Sequence, residues 1–160
     1  MARAFSETLA GVLSGGFSKP PAPVAALPTN GLAHRCLFRA RELSDSTILI
    51  AAIGEIDETN STELVDYVQT TFNRYRQIVL DLSRVDFFDE SGYSCIETLN
   101  TRCSHRGISL VVVPSPDVQR ALEDHAPDCT VATAANIVSA VATLARTGRS
   151  RLWLARKSGQ

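Results

Sequence analysis

The run Ile78-Val79-Leu80-Asp81-Leu82 is almost continuously apolar. A strand of that kind belongs where both faces of a sheet are covered, at the centre of a parallel arrangement. After it, Cys95, Ile96, Leu99 and Cys103 recur at helical spacing up to Gly107, and Ile108 to Val113 is apolar again. Glycine suits the left-handed turn that closes a helix. Strand, helix and strand in that order call for a parallel pair joined by a right-handed crossover.

The flanking sequence extends the pattern. Cys36-Leu37-Phe38 reads as a first strand, and Thr47 to Ile53, rich in Ile and Ala, as a second and buried one. Gly54-Glu55-Ile56-Asp57 reads as its break. Asn60 then starts a helix, with Glu63 completing a capping box and Leu64, Val65, Val68 and Phe72 as the apolar stripe. Gln77 to Leu82 is the third strand and Ile108 to Val113 the fourth. Pro114-Ser115-Pro116 ends the fourth and opens a short helix, with Ser115 as cap, Pro116 at the first helical position, and Val118, Ala121 and Leu122 inward. Thr130-Val131 is a brief fifth strand, and Thr133 caps a last helix carrying Ile137, Val138, Val141 and Leu144. The expectation is an α/β fold: a mixed, mostly parallel sheet of four to five strands packed with about four helices, the first strand an antiparallel edge.

Length and charge narrow the function. The chain has 160 residues, 44% of them hydrophobic and 21% charged, enough for one globular core with tails. A net charge of −1 argues against bulk attraction to nucleic acid or to an acidic membrane. No apolar run reaches the roughly 18 residues of a membrane span, and the segment around Arg3 and Glu7 makes a poor secretory signal, so a cytoplasmic location is expected. Residues 1–33 are rich in Ala, Gly, Ser and Pro, a composition that predicts a disordered extension, although Phe5, Leu9, Val12 and Leu13 recur at helical spacing. Residues 34–146 form the domain, and residues 147–160 a basic tail with Arg149, Arg151, Arg156, Lys157 and Trp153.

Cys36, Cys95, Cys103 and Cys129 form no Cys-x-x-Cys pair. Cys95 and Cys103 share a helix face but lie about 12 Å apart along it, too far for a disulfide. Cys103 and His105 lack further ligands at metal spacing, and no metal or other cofactor is expected. No phosphate-cradling glycine loop is present, and His34, His105 and His125 have no nucleophile and acid at triad spacing. An enzyme is therefore the least supported class.

The chemistry concentrates in Phe87-Phe88-Asp89-Glu90-Ser91-Gly92-Tyr93, where the strand hands over to the helix. Unpaired N–H groups and the positive end of the macrodipole make a helix start tolerant of a phosphate. Ser91 reads as a switch site or, more simply, as a helix cap; Asp89 could be the cap instead and leave Ser91 exposed in the first turn. Asp57 reads first as a turn residue.

Together the strand ending in Gly54-Glu55-Ile56-Asp57, the strand Val79 to Ser83, the run Val85 to Gly92 and the strand Ile108 to Val113 resemble the STAS domain, shared by sulfate transporters and anti-sigma factor antagonists. The likeness spans about Ala33 to Arg146, and its best match is Asp89-Glu90-Ser91-Gly92 against a family pattern of Asp-Ser-Ser-Gly. The resemblance implies an anti-anti-sigma factor of bacterial type. Such a protein binds an anti-sigma factor that is also a serine kinase and so frees a sigma factor. Phosphorylation, here at Ser91, ends the binding, and a serine phosphatase reverses it. The resemblance also places Asp57, Asp89, Glu90, Gly92 and Tyr93 at the partner surface. Glu90 stands where a second serine is usual, and Tyr93 where leucine is usual. An exposed Tyr93 would be an aromatic anchor, whereas a buried one would need a hydrogen-bond partner. The competing readings are an accessory subunit of a lipid-transport ABC complex and a scaffold in a stress-sensing assembly.

Overall fold

A computed structural model describes residues 36–125 and 130–158, with side chains through Gly148. The extension read over 1–33 and Cys129 lie outside the described residues.

The elements follow in the order β1 (Leu37–Ser44), β2 (Thr47–Ile56), α1 (Ser61–Gln69), β3 (Gln77–Phe88), α2 (Glu90–His105), β4 (Ser109–Pro114), α3 (Pro116–Asp124), β5 (Ala132–Thr133) and α4 (Ile137–Ser158). The five strands make one sheet in sequence order. β1 joins β2 antiparallel, and β2, β3, β4 and β5 run parallel. The mixed, mostly parallel α/β architecture is the one expected from the sequence.

β3 is covered on both sides, as its apolar run requires. Ile78, Leu80 and Leu82 face the larger core with Leu64 and Val68 of α1, Ile96 and Leu99 of α2, and Val118 and Leu122 of α3. Val79 faces the other way, with Val111 and Val113, against Ala140 and Leu144 of α4. Each such aliphatic side chain contributes about 1.5–3 kcal/mol on burial, so truncating the fully buried Leu80 to alanine costs about 2–5 kcal/mol. Cys95 and Cys103 are part of the larger core, and burial pushes both thiols up to about 12. Cys36, half-buried at its margin, is pushed up to about 11 by the same desolvation.

Several local expectations are corrected. Gly54-Glu55-Ile56 does not break β2: Gly54 takes φ 115°, a shift in register follows, and pairing with β3 continues to Ile56. β3 likewise runs on to Phe88, six residues past the expected end. The Asn60–Glu63 capping box does not form, because the Asn60 side chain reaches back instead to the Asp57 N–H (3.1 Å) and the Glu55 carbonyl (2.8 Å). β5 is Ala132–Thr133 rather than Thr130-Val131. The N–H of Ser139 is capped by Asn136 Oδ1 at 2.8 Å, and Thr133 lies in the strand. Val138 faces solvent, so α4 packs through Ala140 and Leu144. The helical backbone continues to Ser158, taking in most of the segment read as a tail. The Ser115 cap forms as expected, accepting from Val118 N–H at 3.3 Å with Pro116 at the helix start.

Candidate functional site

Two loops meet at the carboxyl edge of the parallel sheet. Ile56 and Phe88 are register partners, so β2 and β3 release the chain side by side. The Asp89 N–H donates to the Ile56 carbonyl at 3.3 Å and ties one loop to the other. That bond brings the Asp57 turn beside the start of α2. Asp57 is held as a turn residue: its Oδ1 accepts from the Thr59 N–H at 2.8 Å and from the Thr59 hydroxyl at 2.5 Å. Asn60, buried behind it, braces the turn through its two side-chain bonds.

Asp89 is the cap of α2. Its backbone is extended, its Oδ1 accepts from the Gly92 N–H at 3.0 Å, and its carbonyl accepts from the Tyr93 N–H at 3.2 Å. Glu90 and Ser91 therefore take the first two helical positions, whose N–H groups have no carbonyl within the helix to meet. Glu90 is exposed and Ser91 partly buried. Among the described residues no hydrogen bond holds the Ser91 hydroxyl. The serine is thus not the cap; the carboxylate two residues earlier does that work.

Gly92 is buried, and the Phe88 ring lies over it so closely that a β-carbon would come within 2.6 Å of the ring edge. Tyr93 is only 7% exposed and stacks on His125, with ring centroids 3.8 Å apart and planes 15° from parallel. It packs beneath the loop rather than offering an exposed anchor. The aromatic that does face solvent here is Phe87, 49% exposed, which the sequence reading passed over. Strand alternation could have found it: if β3 continues through both phenylalanines, one of the adjacent pair must point away from the core.

The edge is acidic. Segments 55–60 and 86–93 together carry Glu55, Asp57, Glu58, Asp86, Asp89 and Glu90, with no lysine or arginine. Among the described residues neither histidine is placed at Ser91. His105 is at the far end of α2, roughly 20 Å along the axis, and the His125 ring is stacked on Tyr93 with Nδ1 at 2.8 Å from the Ala121 carbonyl. What the geometry provides is a partly buried serine at the second position of a helix whose cap is another residue.

The family model for the STAS domain matches residues 40–142. An anti-sigma factor antagonist from Mycobacterium paratuberculosis is similar in structure, with TM-score 0.59 and 18% identity over 68% of this chain and 93% of that one. RsbS from Moorella thermoacetica, in a Ser-to-Glu variant, has TM-score 0.60 and 17% identity over 70% and 97%. The anti-sigma factor antagonist SpoIIAA in its unphosphorylated form has TM-score 0.55 and 17% identity over 67% and 95%. At these identities the likeness establishes the fold. No curated protein matches the chain in sequence.

Proposed function

The chain belongs to the STAS domain family, and from that premise we propose that it is an anti-sigma factor antagonist whose docking is switched by phosphorylation of Ser91. In its unmodified form it binds an anti-sigma factor with serine kinase activity and releases a sigma factor. The kinase transfers the γ-phosphoryl group of ATP to Ser91 Oγ, ADP leaves, and a serine phosphatase removes the phosphate. The chain is ligand and substrate in this cycle, working in the cytoplasm, and not the catalyst. No described helix is long and apolar enough to cross a membrane.

The observation that carries this reading is the partly buried Ser91, whose hydroxyl is held by no hydrogen bond among the described residues, at the second position of a helix already capped by Asp89. A phosphoserine adds about −1.5 to −2 charges. At this position the macrodipole and the Glu90 and Ser91 N–H groups offset part of that charge, so the fold survives. A docked partner has no such compensation and must desolvate the dianion or oppose it. A penalty of roughly 3 kcal/mol weakens binding about a hundredfold. Glu90, next to Ser91 in the chain, opposes the added phosphate by like-charge repulsion and slows its transfer.

Incubation with the host's anti-sigma kinase and ATP tests the assignment. One phosphate is expected, mapped to Ser91 by mass spectrometry and absent in Ser91→Ala. Equal phosphorylation of Ser91→Ala would remove the site. Recovery instead with a membrane ATPase, indifferent to Ser91 substitution, would favour a transport accessory role.

A further inference from the structure

We propose that the sheet face opposite α1 to α3 seats a segment of this chain's own amino-terminal region, residues 5–13, packed there as a short helix. The strand registers define the seat. Ile48, Ile50, Ala52 and Ile56 of β2 point into the larger core, so Ala51, Ile53 and Glu55 point to the other side. Residues directly opposite one another share a face. Leu37 and Arg39 of β1 meet Ile53 and Ala51 of β2, and Ile53 and Glu55 meet Arg84 and Phe87 of β3.

α4 covers one part of this face, where Ala140 and Leu144 pack on Val79, Val111 and Val113 with Leu43 and Leu49 at the margin. Towards the carboxyl ends of β2 and β3 the described residues leave Leu37 40% and Phe87 49% exposed, with the half-buried Ile53 on the strand between them. Among the described residues the one other large exposed hydrophobic is Val138, on α4. Charge on the seat is balanced. Arg39, Arg41 and Arg84 stand against Glu55, Asp81 and Asp86, the last exposed with Phe87 between Val85 and Phe88, which pack on the larger core. The gathered apolar side chains, and not a net charge, therefore select what covers them.

The sequence supplies a matching segment. Phe5, Leu9, Val12 and Leu13 recur at i, i+4, i+7 and i+8, which is one stripe of a helix, and Gly15-Gly16 closes the pattern. A helix this short is marginal alone in water and needs an apolar surface to hold it. Side-chain charge over residues 1–18 cancels, with Arg3 against Glu7, as a balanced seat requires. Residues 20–28 cannot take the same place as a helix, because Pro20, Pro21, Pro23 and Pro28 interrupt them. The amino-terminal region enters the domain at β1, next to Leu37 itself. Residues 14–35 span up to roughly 70 Å when extended, against about 27 Å for the length of β1. A segment tethered so closely reaches an effective concentration on the order of millimolar, an advantage that a separate partner or a second copy lacks. α1 to α3 lie on the other face of the sheet, so the inference does not rest on the switch at Ser91.

The test is NMR with amide hydrogen exchange on the isotope-labelled full chain. Amides of residues 9–13 are expected to exchange at least about tenfold more slowly than in a synthetic peptide of residues 1–18. Phe87→Ser and Leu37→Ser, which alter exposed residues, should remove that protection. Conversely, the Leu9→Glu/Leu13→Glu double variant should move the amide signals of residues 37–39, 51–55 and 84–87 and leave those of residues 61–69 and 96–105 in place. Its two changes lie outside the domain and keep the test clear of domain folding. Segment amides exchanging at the rate of the free peptide, or seat signals unmoved by Leu9→Glu/Leu13→Glu, would overturn the proposal. So would protection that rises with protein concentration, the mark of a second copy on the face.

Discussion

The ring of Phe88 lies across Gly92 where a β-carbon would meet it at 2.6 Å. Residue 92 is therefore fixed by packing, at the first turn of the helix that carries Ser91. Gly92→Ala is expected to destabilise the domain by about 1–3 kcal/mol, the usual range for overpacking, read as a lower urea midpoint. On a Phe88→Leu background the same change should cost less. Strict additivity of the two substitutions would mean that the ring does not set the constraint.

Asp89 and Ser91 should separate cleanly in stability. Asp89→Ala removes the side-chain bond to the Gly92 N–H and is expected to cost about 1 kcal/mol. Asp89→Asn retains an acceptor and should cost less. Ser91→Ala should be close to neutral by thermal melting, because no bond among the described residues is lost. If Ser91→Ala proved as costly as Asp89→Ala, the serine would be structural.

Thiol burial gives stability a definite slope with pH. Desolvation raises Cys95 and Cys103 from 9.0 to about 12 in the folded chain. The folded state then holds protons that the unfolded state releases between those values. This contribution is fully present below about pH 9 and is lost as pH rises towards 12. Urea midpoints should fall between about pH 8 and about pH 10.5, and at the lower pH a thiol reagent should leave Cys95 and Cys103 unmodified in the native chain. A midpoint that rose over that interval would contradict the assignment.

The order of strands and helices was legible because each element has a local period: the apolar run at Ile78 to Leu82, the stripe from Cys95 to Cys103, and the cap and proline at Ser115 and Pro116. Element ends were less legible because pairing decides them. Gly54 looks like a terminator in isolation, yet β3 supplies hydrogen bonds that carry β2 past it, and Ser83-Arg84 conceals a strand that runs on to Phe88. The Ser91 junction could be read from its neighbours along the chain. The approach of Asp57 could not, except through the family resemblance, because the bond from Asp89 to Ile56 spans distant sequence. Whether Tyr93 is exposed was open in the sequence; it is buried, and the exposed aromatic is Phe87, where two register shifts help to set which residue of β3 turns outward.

The central claim is that charge on one hydroxyl changes docking and leaves the fold alone. The most direct measurement is the affinity of the anti-sigma partner for the unmodified chain and for the chain phosphorylated at Ser91, with melting curves of both. The expected result is a loss of about a hundredfold in affinity with a midpoint shift under about 4 °C. Equal affinity for the two forms, or a phosphorylated chain that no longer melts cooperatively, would contradict it.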